Sequence, residues 1–344
     1  MAYRLFTTSQ RAWGAMLEAI SVAEKSIYLE MYIFDDHIDG FNFLEELIEV
    51  ARRGVRVYII LDVIGSLSLG KEPVERLRQA GVEVLYYSFW FRRTHRKILV
   101  IDERIAFVGG VNVGRQFRFW KDLQVCVKGR GVVAAIASSF VRVYQECGGR
   151  DPALAMGKKR SSIFHRAKTW FIEHRVGQKN RLRAHYQDRV SHAQRSIILV
   201  TPYLVPPRWL LAILHQALLR GVCVEVLVPR KTDYWFIDKV NQYYISILSR
   251  VGAACYIQPD MNHAKAMLVD GKEGIIGSHN LDTLSFHWNT EAGIFFSHEK
   301  LVAELAAVIE GWKKDAVLFD ARTQSFFGVQ FFATVLRWLR IMPL

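Results

Sequence analysis

Cysteine is scarce in this chain. Its 344 residues contain four (Cys126, Cys147, Cys223 and Cys255), with no CxxC pair and mostly inside apolar runs. Buried thiols in a reducing compartment are therefore expected, not disulfides or zinc ligands. An uninterrupted apolar stretch of about 20 residues, the length a transmembrane helix needs, is missing even from the aromatic-rich C-terminus, SFFGVQFFATVLRWLRIMPL. The N-terminal MAYRLFTTSQRAWGAML has no basic segment leading into an apolar core, so no secretory signal is expected. Together these absences point to a peripheral protein on the cytoplasmic side of a membrane. Acid is also in deficit: 33 Asp and Glu against 46 Lys and Arg give a net charge of +13. Such a surface attracts polyanions, and both anionic membranes and nucleic acids qualify.

What is present is a polar pattern used twice. His95, Lys97 and Asp102 occur in THRKILVIDERIAFVGGVN, and His263, Lys265 and Asp270 in NHAKAMLVDGKEGIIGSHN. In both segments a glycine follows the histidine by 14 positions and an asparagine, Asn112 or Asn280, by 17. Packing alone would have to place four side-chain types identically twice. Each segment reads as a hairpin, with apolar runs at 98–101 and 105–108, and again at 266–269 and 275–276, around Asp-Glu-Arg or Asp-Gly-Lys turns. Residues two apart on a strand share a face, so each histidine projects with its lysine, and the returning strand brings the asparagine beside them.

An imidazole can attack phosphorus, while Lys and Asn hold the non-bridging oxygens as charge is redistributed. One such cluster lacks an acid for the leaving oxygen. Two facing clusters supply both roles, one histidine as nucleophile and the other as proton donor and later base.

On these residues the chain resembles the phospholipase D superfamily, whose signature is a duplicated HxKxxxxD motif, and within it the cardiolipin synthase-like branch. The narrower likeness lies in TPYLVP (201–206), in GSHNLDTLSFHWNTE (277–291), and in the first half in YIF (32–34), ARRGVRV (51–57), GGVN and Trp120 with Asp122. It covers roughly residues 20–315. The resemblance implies an α/β fold of two pseudo-symmetric repeats, each a mixed sheet flanked by helices, with the active site at their interface. It also implies a catalytic set of His95, Lys97, Asp102, His263, Lys265 and Asp270, with Asn112 and Asn280 on the phosphate and the two aspartates organising the turns and neighbouring donors. Asp122 and Glu291 are expected to hydrogen-bond the imidazoles and fix their tautomers. The chemistry implied is phosphodiester exchange through a phosphohistidine, with no metal and no cofactor. The chain departs from the branch at Leu284, where an arginine is common, and at Lys121 and Gln124, where histidines are common.

The spacing of matching elements is nearly constant: SIYLEMYIF against SIILVTPYL at 170, RRGVRVYII against LRGVCVEVL at 167, and the catalytic segments at 168. This is one unit used twice, too long a period for a solenoid. Leu44, Leu47, Ile48 and Ala51, like Leu210, Ile213, Leu214 and Ala217, carry helical spacing, and residues 55–61 and 222–228 read as buried strands. The expected boundaries are a first repeat at 1–155, a linker at 156–185, a second repeat at 186–320 and an amphipathic tail at 321–344.

The linker is the most biased stretch, with nine basic residues and one acid between 157 and 183. Basic residues interleaved with aromatics suit a headgroup surface, which selects Lys158, Lys159, Arg160, Trp170 and Phe171. The same reasoning selects Phe331, Phe332 and Trp338 in an interfacial C-terminal helix. Phe89, Trp90 and Phe91 beside Arg92 and Arg93 read as a lip of the site or as a capped sheet edge.

The function expected is therefore a phosphatidyltransferase that makes cardiolipin from phosphatidylglycerol or another glycerophospholipid at an anionic membrane. The alternatives are a phospholipase D-type hydrolase or a nuclease-type phosphodiesterase using the same histidines. The hydrophobic C-terminus and the NLD segment weigh against nucleic acid. Oligomeric state does not follow from the sequence.

Overall fold

The computed structural model describes residues 2–154, apart from 37, 39 and 91, and residues 168–320. Lys158, Lys159, Arg160, Phe91, Phe331, Phe332 and Trp338 lie outside the described residues.

The first half contributes β1 (Ala2–Thr8), β2 (Ser26–Met31), β3 (Arg56–Asp62), β4 (Glu83–Tyr87), β5 (Arg93–Thr94), β6 (Lys97–Ile101), β7 (Ile105–Gly109) and β8 (Lys121–Lys128). The second contributes β9 (Thr169–His174), β10 (Ser196–Val200), β11 (Leu204–Val205), β12 (Cys223–Pro229), β13 (Ala254–Gln258), β14 (Ala266–Val269), β15 (Glu273–Gly277), β16 (Leu281–Asp282), β17 (Asn289–Phe296) and β18 (Val317–Leu318). The first sheet runs β1-β8-β7-β6-β2-β3-β4, and the second repeats that order as β9-β17-β15-β14-β10-β12-β13. In each, three strands are parallel and the rest antiparallel, so both sheets are mixed. β18 extends the second sheet beside β13, and β5 joins it beside β17.

Side-chain alternation sorts three cores. In β2, Ile27, Leu29 and Met31 face the outer helices of the first half, whereas Tyr28 points between the two sheets. The central core unites Ile98, Val100 and Val125 with Leu268, Ile276 and Ile294, and receives the helices Arg130–Glu146 and Glu299–Lys314. The third core lies under the helices Arg181–His192, Arg208–Leu219 and Trp235–Arg250. Helix covers both faces of each sheet, so the central strands are largely apolar, with Glu30 of β2 a buried exception. No helix among the described residues is long and apolar enough to cross a membrane.

Two elements differ from the sequence expectation. Residues 169–174 are not linker but β9, paired antiparallel with β17 and equivalent to β1. The β-forming TWFI run is masked in sequence by the basic residues around it. Trp170 consequently stacks 3.9 Å from the Phe295 ring centre, and Phe171 packs against the central core. Both aromatics are half-buried, their rings packed on the fold rather than held out for lipid. The cysteines are free, but Cys223 is exposed while Cys126 and Cys255 are buried.

Candidate active site

Each histidine segment leaves its own repeat and runs beside the other. β5 pairs parallel with the start of β17, and the His95 N–H donates to the Thr290 carbonyl at 2.9 Å. In mirror fashion Asn262 bridges Lys121, and the His263 N–H donates to the Lys121 carbonyl at 2.7 Å. The imidazoles therefore meet carboxylates across the interface. His95 Nδ1 lies 3.1 Å from one Glu291 oxygen, and His263 Nδ1 lies 2.8 Å from Asp122. Sequence proximity suggests the opposite pairing, because Asp122 follows His95 and Glu291 follows His263. With Nδ1 occupied, each ring presents Nε2 as its reactive nitrogen.

All four groups are buried. Lys97 and Lys265 share the faces of their histidines, and each ammonium donates to the carbonyl of the histidine two residues before it, at 2.6 Å for Lys97. Tyr32 stands edge-on to His95 at 4.7 Å and holds the Lys97 ammonium 4.9 Å from its ring centre. Trp120 and Tyr203 flank His263 at 5.4 and 6.3 Å. Asn112 and Asn280 are buried, and neither carboxamide oxygen has a partner among the described residues. Their backbones are fixed by Trp13, which donates to the Asn112 carbonyl at 2.8 Å, and by Ser285, whose hydroxyl accepts from the Asn280 N–H at 3.0 Å. The glycine 14 residues after each histidine lets strands close: a Cβ on Gly109 would lie 2.2 Å from the Leu123 carbonyl oxygen, and one on Gly277 2.6 Å from that of Ala292.

Burial sets the electrostatics. It lowers His95, with Lys97 adding to the effect and Glu291 opposing it. His263 is lowered further by burial, Lys265, Lys97 and His95. Burial also pushes Lys265 down to about 8 and Lys97 well below the ordinary lysine value. Glu291 is raised by burial, but the His95 charge and hydrogen bond, Lys97 and the Ser278 hydroxyl outweigh this and hold it at about 2. Burial raises Asp122 to about 7 against the pull of Lys265 and the Leu123 N–H. Two ammonium groups whose charged forms are destabilised by burial favour an anion beside them, whose charge stabilises their protons.

Asp102 and Asp270 are not in this cluster. A strand at about 3.3 Å per residue puts Asp102 roughly 15 Å from Lys97, at the far end of the hairpin. There it accepts backbone N–H groups of Glu24, Lys25 and Ser26, as Asp270 does from Gln194, Arg195 and Ser196. Sequence reading assigned no role to Ser278, whose hydroxyl donates to Glu291. The only signal was GSHN against GGVN, because Gly110 occupies the equivalent place. Of the departures from the branch, Leu284 is exposed, Lys121 faces Asp260 at 3.4 Å, and Gln124 accepts the Val111 N–H at 3.3 Å. Among the described residues no group of His, Cys, Asp and Glu is arranged to hold a metal.

A duplicated α/β unit with a shared histidine site is the architecture of the phospholipase D superfamily. A family profile described as cardiolipin synthase, PLD-like domain, matches residues 16–144 and 186–312, and the chain belongs to this family. A cardiolipin synthase of Geobacillus sp. (strain WCH70) is 32% identical over 341 residues, covering 93% of this chain and 68% of the relative. Cardiolipin synthase A of Pseudomonas aeruginosa is 30% identical, covering 89% and 66%, and a probable cardiolipin synthase of Bacillus subtilis 28%, covering 89% and 65%. The chain thus spans about two thirds of the length of the curated relatives it matches. The phosphatidylserine synthase structure from Haemophilus influenzae shares the fold, with a TM-score of 0.77 at 15% identity, over 98% of this chain and 93% of that one.

Proposed function

We propose that this chain is a phosphatidyltransferase that forms cardiolipin from phosphatidylglycerol, or from a related glycerophospholipid donor, through a phosphohistidine. The observation that carries the reading is the crossed pairing of His95 with Glu291 and His263 with Asp122. It supports a reading in which both Nε2 atoms serve one phosphorus, and it fits the names of the relatives.

His95 Nε2 attacks phosphorus, and the bond to the head-group oxygen breaks as His263 donates its proton to that oxygen. The roles are unequal because the partners are. Glu291 is fully ionised and keeps His95 an oriented, neutral nucleophile, whereas Asp122, raised to about 7, lets the His263 pair retain a proton at neutral pH. Lys97, Lys265, Asn112 and Asn280 hold the phosphoryl oxygens. A second lipid hydroxyl then attacks, His263 takes its proton, the N–P bond breaks and His95 is regenerated. Asp102 and Asp270 act on the hairpins and touch no substrate. The enzyme works peripherally, on the cytoplasmic face of an anionic membrane.

The test is to supply phosphatidylglycerol vesicles and, separately, a single-stranded oligonucleotide, and to analyse products by mass. Cardiolipin with free glycerol supports the transfer reading. Phosphatidic acid would make it a hydrolase, and shortened oligonucleotides a nuclease.

A further inference from the structure

The most exposed aromatic side chains among the described residues all stand at one end of the molecule. Register defines that end. Met31 pairs with both Lys97 and Leu61, and Asp62 pairs with Tyr87, so the loops leaving β2, β3 and β4 open beside His95. Val200 pairs with Ala266 and Leu227, and Pro229 with Gln258, so those leaving β10, β12 and β13 open beside His263.

Trp90, 82% exposed, sits in the loop leaving β4, and Phe119, also 82%, in the loop entering β8. Trp235, 71%, follows β12, and Trp288, 46%, immediately precedes β17. Phe89, Tyr234 and Phe236 stand next to them. These rings border the site itself. Phe119 adjoins Trp120, which is 5.4 Å from His263, and Tyr234 contacts Tyr203, which is 6.3 Å from the same ring. At the opposite end the exposed large apolar side chains, such as Val22, Leu219 and Val251, are aliphatic.

We infer that this aromatic rim is a docking face for a phospholipid bilayer, seating the mouth of the site at the headgroup layer. The inference rests on the reading that the site takes a lipid phosphate, and it replaces Trp170 and Phe171 as the lipid-facing aromatics. Tryptophan and phenylalanine favour the boundary between headgroup and acyl chain. Basic side chains lie within reach of each cluster: Arg92 beside Trp90, Arg118 with its guanidinium 5.4 Å from the Phe119 ring centre, and Lys231 before Trp235. Acidic residues stand at the same end, Asp233 in the loop of Trp235 and Asp35, Asp36 and Asp260 in the loops after β2 and β13. A nucleic acid would require an excess of cations to neutralise phosphates along its length. Mixed charge with protruding rings suits a bilayer, where ring insertion supplies most of the affinity and the cations align with lipid phosphates. A substrate drawn out of the bilayer then reaches His95 and His263 without crossing water.

The test compares the full chain with the triple variant Trp90→Ser/Phe119→Ser/Trp235→Ser in two assays. One is flotation with vesicles of three parts phosphatidylcholine to one part phosphatidylglycerol, and the other is turnover of a water-soluble aryl phosphodiester. The expected result is a vesicle-bound fraction lowered at least about tenfold, with soluble turnover within about twofold of the parent, which also certifies the fold. Unchanged vesicle binding in the variant, or a parent chain that floats with no vesicles, overturns the docking face. Ring-dependent flotation by a chain that turns over no phosphodiester upholds the docking face and refutes the chemistry assigned above.

Discussion

Glu291 holds the histidine of the opposite repeat, its carboxylate 3.1 Å from His95 Nδ1. Glu291→Gln preserves the shape while removing the charge that orients the ring and stabilises it as it gains positive charge. Loss of a comparable buried carboxylate behind a catalytic imidazole costs about 10⁴ in kcat. Steady-state kinetics on mixed vesicles should show that loss with KM little changed, and Asp122→Asn should behave alike. A kcat within a few-fold of the parent would detach the carboxylate from the chemistry.

The pH profile follows from burial. His95 must be neutral to attack, and burial lowers it, so the acid limb of kcat/KM is expected below pH 6.5. On the alkaline side the His263–Asp122 pair gives up its proton near 7, and burial brings Lys265 down to about 8, so the free enzyme also loses that ammonium, and with it phosphate affinity, as pH rises through about 8. Bound phosphodiester restores the proton, which places the alkaline limb of kcat higher than that of kcat/KM. Lys265→Arg should move the kcat/KM limb upward, and an unmoved limb would assign it to another group.

At the far end of the hairpin Asp102 supports folding. Burial raises its carboxyl, but the N–H groups of Ser26, Glu24 and Lys25 outweigh this and lower it below 3.8. A depressed carboxylate stabilises the protein above its unfolded value and loses that contribution as pH falls through the folded one. Asp102→Asn is therefore expected to cost about 1–2 kcal/mol at neutral pH. The difference from the parent should shrink below about pH 4, as read by urea denaturation at several pH values. A loss of turnover without loss of stability would return Asp102 to the site.

Arg96, between His95 and Lys97, is fully buried and lies 2.9 Å from the equally buried Glu30, which also accepts the Thr94 hydroxyl. The second half has Ala264 at the equivalent place. Arg96→Met should destabilise by about 3–5 kcal/mol by leaving Glu30 unpaired in the core, and Arg96→Met/Glu30→Leu should recover most of it. Thermal denaturation of both variants is the check, and equal losses would show that the pair is not coupled.

The repeated His-Lys-Gly-Asn spacing made both hairpins and the polar cluster legible, because a strand's two-residue period leaves little freedom in where such side chains point. The crossed acid pairing was not legible. It depends on β5 and residues 261–263 leaving their own sheets, and spacing within one repeat cannot encode a partner in the other. β9 was obscured for a different reason: its strand-forming residues lie among lysines and arginines, so composition outweighed pattern. The motif groups Asp102 and Asp270 with the site, from which a strand separates them, but their expected part in organising the turns fits where they stand.

The most direct test of a shared phosphate is to quench the His263→Asn variant with phosphatidylglycerol and map the adduct by mass spectrometry. The account predicts a phosphatidyl group accumulating on His95, and no adduct in the His95→Asn variant. An adduct on neither histidine, or turnover near the parent rate in either variant, would contradict it.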